Sequence, residues 1–498
     1  MLLLQNDSIF TECCTTSGRD FKNEKLMKLI FLLLCCISLQ AQDFNGNILA
    51  AQDGKVVFEH AYGYADFPSH KRNTLNSRFN LASVSKVFTS TAILQLMEKG
   101  KLRLDDPFQS YFPDFPFPDI TIRHLLCHQS GLPDLELFEA LIKQYPDTVV
   151  NSHTVYDQLK QYNKPLYFKP GAGFEYCNNG YILLSLLVEE LSGQTFGAYL
   201  QRHIFRPARM THTLLTGPGQ VSKHAYASFA VDTFSRVSEL KRYKYTDYNN
   251  GAAIGASDII TTVGDMLLFD QAFFGCKLLT AASIQLALKP VHTDKKMDTM
   301  EGEGTGYYCM GWEMFDQPFY GRGVGHGGFK FGLATFYYHN LDKNQTIIAF
   351  DNTAGNSFGK VVTSALHVLN NQPALEIHPK KSLARVYTTT LVRKGADAAA
   401  HALTTLKYDS ANYYLSEWEM NRAGYEMLYD LKKPELAVEI FRLNCLQFPL
   451  SYNTYDSYGE ALNKIGKKKE AIEQYERSIQ LNPKNEGGIK ALKEIKGS

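Results

Sequence analysis

Ser83-Val84-Ser85-Lys86 sets a hydroxyl and an amine three residues apart, and on a helix that spacing puts both on one face. A serine hydroxyl is a weak nucleophile at neutral pH. A neighbouring lysine can take its proton only if burial or nearby positive charge keeps the amine partly neutral. Taken alone, the pattern also describes an N-cap serine followed by a surface lysine. Tyr176-Cys177-Asn178 adds a phenol that can shuttle a proton to a leaving group and an amide that can hold a carbonyl. Two other Tyr-x-Asn triplets, Tyr248-Asn249-Asn250 and Tyr338-His339-Asn340, lack its setting, a turn-rich loop from Lys169 to Glu175 followed by a helical run through Ile182, Leu186 and Leu187. Gly325-His326-Gly327-Gly328-Phe329 stands immediately before a strand-like run. Its glycines let a backbone approach a substrate and aim an amide at a developing oxyanion, although a glycine-rich turn with an incidental histidine has the same text.

Two rival constellations are weaker. Gly355-Asn356-Ser357-Phe358-Gly359 fits the nucleophile elbow of α/β-hydrolases, but that fold needs an acid and a histidine after the serine. His367, His378 and His401 fall in a helix or in the helical tail, so Ser357 is read as a helix-start residue. His124 and His128 are spaced as in a zinc-protease helix, yet Leu125 stands where the glutamate belongs, and both are read as structural. The cysteines beyond the N-terminal segment, Cys127, Cys177, Cys276, Cys309 and Cys445, are widely spaced and odd in number, which predicts neither a disulfide framework nor a zinc site. No metal or cofactor is expected.

The elements that must position these residues are partly visible. Phe44 to Tyr64 alternates apolar and polar residues around Asp53-Gly54, a hairpin signal. Val87, Ala92, Ile93, Leu96 and Met97 recur at helical spacing with Gly100 as a C-terminal stop. Residues 102–215 read as helices and loops; strand character returns at Leu333–Tyr338 and Gln345–Phe350, and Phe358–Leu369 reads as a closing helix. Strands at both ends with helices between them predict an α+β domain whose sheet is assembled from distant segments.

In this order and with these flanks, Phe79-Asn80-Leu81-Ala82-Ser83-Val84-Ser85-Lys86, the run Ile120 to Leu132, the Lys169–Asn178 loop and the glycine-rich text resemble the penicillin-recognising serine hydrolases. The branch is that of class C β-lactamases, D-alanyl-D-alanine carboxypeptidases and related esterases, and the resemblance covers about Phe44 to Leu369. It implies a β-lactamase-like antiparallel sheet flanked by helices, with an inserted all-helical subdomain. It also implies Ser83 as the acylated nucleophile, Lys86 and Tyr176 as the proton-transfer pair, Asn178 with His326, Gly327 and Gly328 as substrate contacts, and the amides of Ser83 and Phe329 as oxyanion hole. Two departures stand out. Where β-lactamases carry Lys-Thr-Gly, this chain has His326-Gly327-Gly328, losing the permanent charge expected to attract a substrate carboxylate; Cys177 stands where the family usually has serine.

After about Pro373 the text turns to Ala, Lys, Glu and Tyr with helical periodicity, and a shift of 34 residues superposes Leu428 on Leu462, Leu431 on Ile465, Ala437 on Ala471, Phe441 on Tyr475 and Pro449 on Pro483. This resembles the tetratricopeptide repeat, a helix-turn-helix unit, with a degenerate unit expected near Ala396–Tyr414; an ordinary helical extension is the alternative.

At 498 residues with 44% hydrophobic and 21% charged residues, the chain can bury a large core. Its 52 basic and 51 acidic residues nearly cancel, which argues against nucleic acid as partner. Met27-Lys28, the apolar run Leu29–Leu39 and Leu39-Gln40-Ala41 read as a signal peptide starting at Met27 and cut before Gln42, too short to span a bilayer. Cys35 and Cys36 lack the preceding small residue of a lipoprotein site. The expected division is 1–41 untranslated or removed, 42–372 serine hydrolase, and 373–498 a tetratricopeptide-like helical domain. The expected function is an exported, periplasmic or secreted serine hydrolase that forms an acyl-enzyme on Ser83 from an ester, a peptidoglycan-like amide or a β-lactam. The alternative is a catalytically silent scaffold that binds a cell-wall ligand and uses the helical tail for a protein partner.

Overall fold

Alternating apolar residues make strands only where a partner covers them, and here both faces of one sheet are covered. The computed structural model describes residues 44–67, 69–138, 141, 151–216, 254–291, 305–317, 320–330, 332–354, 357–375, 380–483 and 485–497. The signal-peptide segment, Tyr248-Asn249-Asn250, Gly355-Asn356 and His378 lie outside the described residues. Numbering only the main sheet, its strands are β1 (Gly46–Gln52), β2 (Lys55–Ala61), β3 (Thr305–Tyr308), β4 (Glu313–Gln317), β5 (Gly321–Lys330), β6 (Leu333–Asn340) and β7 (Gln345–Asp351). Their spatial order is β2-β1-β7-β6-β5-β4-β3, antiparallel at every step. The main sheet's first strand in sequence thus zips onto its last, Ile48 facing Ala349 and Ala50 facing Ile347. The β1–β2 turn is the expected one, with Asp53 at φ 52° and Gly54 at φ 70°, the left-handed pair that a two-residue hairpin requires.

The alternation sorts the sheet's side chains into two cores. Ile48, Ala50, Phe336, Tyr338, Ile347 and Ala349 pack on Val361, Val362 and Leu366 of the helix Phe358–Leu369. Leu49, Ala51, Tyr337, Ile348 and Phe350 join the larger core on the other face. That core is built from α1 (Lys86–Glu98), α2 (Asn178–Ser192) and α3 (Val263–Phe274). Each large side chain so buried contributes about 1.5–3 kcal/mol.

Gly325–Phe329, read from the sequence as standing immediately before a strand, lies inside β5. Glycines disfavour strands intrinsically, but tertiary packing decides here. A Cβ on Gly328 would sit 2.5 Å from the Leu81 carbonyl oxygen and 2.2 Å from Thr335 Oγ1.

The helices Leu383–Lys394, Ala396–Leu406, Glu417–Tyr425, Pro434–Gln447, Tyr452–Lys464, Lys468–Leu481 and Glu486–Lys496 share a separate apolar cluster. Ala437 and Ala471 are fully buried, and Phe441 and Tyr475 are buried four residues after each. Phe441 packs on Gly424, and Tyr475 on Gly459. The expected pair Leu431 and Ile465 is not equivalent, since Leu431 is 46% exposed while Ile465 packs against the cluster. The region of the expected degenerate unit holds one helix, Ala396–Leu406, and then a two-residue strand, Tyr413–Tyr414, paired in parallel with Lys381–Ser382.

Candidate active site

Ser83 sits on a strained corner. Phe79 and Asn80 pair with Thr261 and Ile260, and the Leu81 N–H donates to Ile259 O at 2.8 Å. The chain then turns through Ala82 at φ 46°, a conformation that non-glycine residues rarely adopt and that neighbours must hold in place. Here the Asn80 side chain accepts from the Ala82 N–H at 2.8 Å, and the Leu81 carbonyl accepts from Thr335 Oγ1 at 2.8 Å. Ser83 follows in a 3-10 turn, Ala82–Ser85, that runs directly into α1 at Lys86.

Lys86 is fully buried. Its Nζ lies 3.1 Å from Ser83 Oγ, 2.8 Å from Asn178 Oδ1 and 3.1 Å from Ala256 O. Burial brings the amine down to about 7, against the opposing pull of Asp134, Cys177 and Glu313. Two of its contacts accept only from N–H, so when the amine is neutral its lone pair is left for the Ser83 hydroxyl.

Asn178 opens α2, and its amide faces two ways. Nδ2 donates to Asp134 Oδ2 at 2.9 Å while Oδ1 accepts from Lys86. Asp134 also accepts from the backbone N–H groups of Asn178 and Asn179, at 2.9 and 3.2 Å, so one carboxylate caps the helix at its positive end and fixes the amide that holds the lysine. Asn178, expected to contact substrate, also links Lys86 to Asp134.

Tyr176 lies beside them, with Lys86 Nζ 4.8 Å from its ring centroid. Its hydroxyl is buried without a hydrogen bond of normal geometry. Burial pushes the phenol well above its ordinary value, and the Ser83 hydroxyl pulls it back in part. The ring lies against His128 at 4.2 Å and approaches His326 at 6.2 Å.

His128, read as structural, belongs to this network. The Cys177 N–H can only donate, so His128 Nδ1 accepts it, at 3.0 Å. The proton on Nε2 then goes to the Tyr308 hydroxyl at 3.0 Å. Tyr308 in turn donates to His326 Nε2 at 3.2 Å, and His326 donates from Nδ1 to Gly327 O at 2.5 Å. The Cys177 N–H fixes His128 as its Nε2–H tautomer, and burial keeps both rings neutral, holding His326 down at about 3 and His128 well below its ordinary value. His124, by contrast, accepts from the Thr121 N–H in a helix cap and stays structural.

Gly327 and Gly328 lie on β5, Gly328 pressed on Leu81 and Ala82, and Phe329 follows, 59% exposed. The structure therefore gathers Ser83, Lys86, Tyr176, Asn178 and His326 into one network and sets β5 against the Ser83 turn. Asp134, Tyr308 and Glu313 were missed from sequence; the last accepts from the Gly327 N–H at 3.1 Å. Ser357 stands at the start of its helix, buried. Among the described residues no group of three or more His, Cys, Asp or Glu side chains is placed to hold a metal, and no helix is long and apolar enough to cross a membrane.

The beta-lactamase family model matches residues 41–369. Penicillin-binding protein 4* of Bacillus subtilis (strain 168) is 32% identical over 343 residues, 67% of this chain and 74% of the relative. Among solved structures, a penicillin binding protein from Bacillus halodurans is 26% identical with a TM-score of 0.57, the match covering 68% of this chain and 98% of that one. D-amino acid amidase from Ochrobactrum anthropi SV3, complexed with D-phenylalanine, shares the fold at 21% identity and a TM-score of 0.56, over 70% of this chain and 99% of that one. The family match takes in every residue of the network from Ser83 to Phe329, and the chain belongs to the beta-lactamase and penicillin-binding-protein family of serine hydrolases.

Proposed function

We propose that the protein is an exported serine hydrolase acting through an acyl-enzyme on Ser83, with an ester or a peptidoglycan-like amide as substrate and a β-lactam as the less favoured class. The observation that carries this reading is Lys86, fully buried, held at about 7, and 3.1 Å from Ser83 Oγ. In acylation the neutral amine takes the Ser83 proton as Oγ bonds to the carbonyl carbon. The leaving group departs with a proton returned from Lys86 by way of Tyr176, and water then attacks the acyl-enzyme with the same pair as base. Tyr176, kept as a phenol by burial, is the carrier and Lys86 the base. The amides of Ser83 and Phe329 serve as the oxyanion hole. Asn178 keeps Lys86 in register, and His326, Gly327 and Gly328 line the substrate. A protonated Lys86 cannot accept, so acylation rises with pH through about 7.

Export is supported by the apolar run Leu29–Leu39 behind Met27-Lys28 and by likeness to proteins named for penicillin binding. The recurrence of Ala437 with Phe441 and Ala471 with Tyr475 supports a tetratricopeptide-like surface for a protein partner. A fluorophosphonate probe followed by mass mapping tests the enzyme: Ser83 is labelled, Ser83→Ala abolishes label and ester turnover, and intact protein without label on Ser83 overturns the reading.

A further inference from the structure

Proton transfer leaves one buried ionisable group of the site unused. Glu313 is the first residue of β4 and the last to pair with β5, opposite Gly325. Beyond that pair, among the described residues no strand continues β4 alongside Gly327 and Phe329. Glu313 reaches over this stretch. Its Oε2 accepts from the Gly327 N–H at 3.1 Å, and its Oε1 lies 3.7 Å from His326 Nδ1. Burial holds that imidazole down at about 3 and its Nδ1 proton is given to Gly327 O, so the histidine supplies no charge.

Among the described residues, the other charged groups around Glu313 do not neutralise it. Lys86 on α1 bonds Ser83, Asn178 and Ala256 and acts on Glu313 only through space. Lys330, further along β5, is paired with Asp258 at 2.8 Å. Asp134 is bound to the start of α2, and Tyr176, Tyr308 and His128 are neutral. Burial brings the Glu313 carboxyl up to about 7, so it ionises in the range where Lys86 becomes a base. Its side chain is 14% exposed, which leaves it within reach of a ligand.

We propose that Glu313 sets the charge preference of the site, favouring an ammonium group on the part of the substrate that lies along Gly327 and rejecting a carboxylate there. The substrate class is an ester or amide that carries an amine, and no free acid, on that side. A cation seated there finds a desolvated carboxylate with an oxygen to spare, whereas an anion meets like charge, and among the described residues the cations nearby, Lys86 and Lys330, are already held by Ser83, Asn178 and Ala256 and by Asp258.

The proposal rests on the serine-hydrolase reading, and the test separates the two. With the full chain at pH 8 and fixed ionic strength, kcat/KM is measured for phenyl acetate, 3-(aminomethyl)phenyl acetate and 3-carboxyphenyl acetate. The cationic ester is favoured over the anionic one by at least tenfold. Glu313→Gln lowers that ratio at least tenfold, and Glu313→Asp keeps part of it. A ratio unchanged in Glu313→Gln, with both esters slowed alike, shows a carboxylate that only supports Gly327 and overturns the proposal. Absence of Ser83-dependent turnover of phenyl acetate refutes the hydrolase reading instead. Calorimetric titration of the Ser83→Ala protein with benzylamine and benzoate then decides the charge preference: tighter benzylamine supports it, and equal or reversed affinity overturns it.

Discussion

Replacing Lys86 by methionine tests whether burial makes this lysine a base, because the same burial leaves a mark on stability. Each pH unit by which a pKa differs between folded and unfolded chain is worth about 1.4 kcal/mol. Lys86 is held at about 7 instead of its ordinary 10.5, so keeping it charged in the folded protein costs about 5 kcal/mol. The sign follows from proton counts. Between 7 and 10.5 the unfolded chain holds the proton and the folded one does not, so wild-type stability rises with pH at about 1.4 kcal/mol per unit, and the full cost is felt below 7. Lys86→Met has no such slope. It also strips a donor from Asn178 Oδ1 and Ala256 O, about 1–3 kcal/mol each, but that loss is the same at every pH. From pH 10 down to pH 8, a window above the wild-type Glu313 titration near 7, the variant gains about 3 kcal/mol or more relative to wild type, the excess coming from Glu313, which loses the Lys86 charge and titrates higher in the variant. Urea unfolding followed by tryptophan fluorescence reads it, with Trp312 buried in the hydrolase core and Trp418 half-exposed in the helical segment. A difference constant from pH 8 to 10 would mean that Lys86 is an ordinary charged lysine, and its role as base would fall with it.

The remaining predictions follow from the groups around it. Asp134→Asn removes a charge that raises Lys86, so the midpoint of the acylation pH profile moves below the wild-type value, and weakened capping of α2 costs about 1 kcal/mol; an unmoved midpoint in pH-resolved labelling refutes this. Tyr308→Phe deprives His128 Nε2 of its acceptor and His326 Nε2 of its donor. It lowers stability by about 2–4 kcal/mol in urea titration, and a loss under 1 kcal/mol would contradict the network. Gly328→Ala forces β5 away from Leu81 and slows fluorophosphonate labelling of Ser83 more than tenfold in a protein that still melts cooperatively, with about 1–3 kcal/mol lost to overpacking; labelling at the wild-type rate would show that the close approach is dispensable.

What could be read from the chain was local. Asp53-Gly54 announces the β1–β2 hairpin because only a left-handed pair closes it, and Leu333–Tyr338, Gln345–Phe350 and Phe358–Leu369 carry plain strand and helix periods. Ser83, Lys86, Tyr176 and Asn178 were found because they stand in motifs. Gly325–Phe329 was misjudged in conformation because its strand is imposed by neighbours remote in sequence, Leu81 and Thr335. Asp134 has no motif and acts on a helix 44 residues away. His128 was noticed for a metal pattern it does not complete, while its partner Tyr308 lies 180 residues on. The signal that was available is the run Tyr308 to Glu313, whose Gly311 lies so close to Ser90 and Lys86 O that a Cβ would crowd both.

Exchange of lysine for histidine at position 326 could be read as a weaker version of the same charge. Burial argues otherwise, holding the ring down at about 3. With His326 neutral and its Nδ1 proton on Gly327 O, Cys177 N–H, His128, Tyr308, His326 and Gly327 O form a chain with one donor per link. His326 is thus a neutral group held in one tautomer at any pH where Lys86 can act. With that cation gone, the ionisable side chain nearest the Gly327 edge is Glu313, whose own ionisation is eased by Lys86. Removing Lys86 therefore raises the Glu313 pKa, so the charge preference of the site and the basicity of its lysine are coupled. The ionised carboxylate in turn raises the Lys86 pKa, so Glu313→Gln should move the acylation midpoint of a neutral ester below the wild-type value, and an unmoved midpoint would show that the two groups titrate independently.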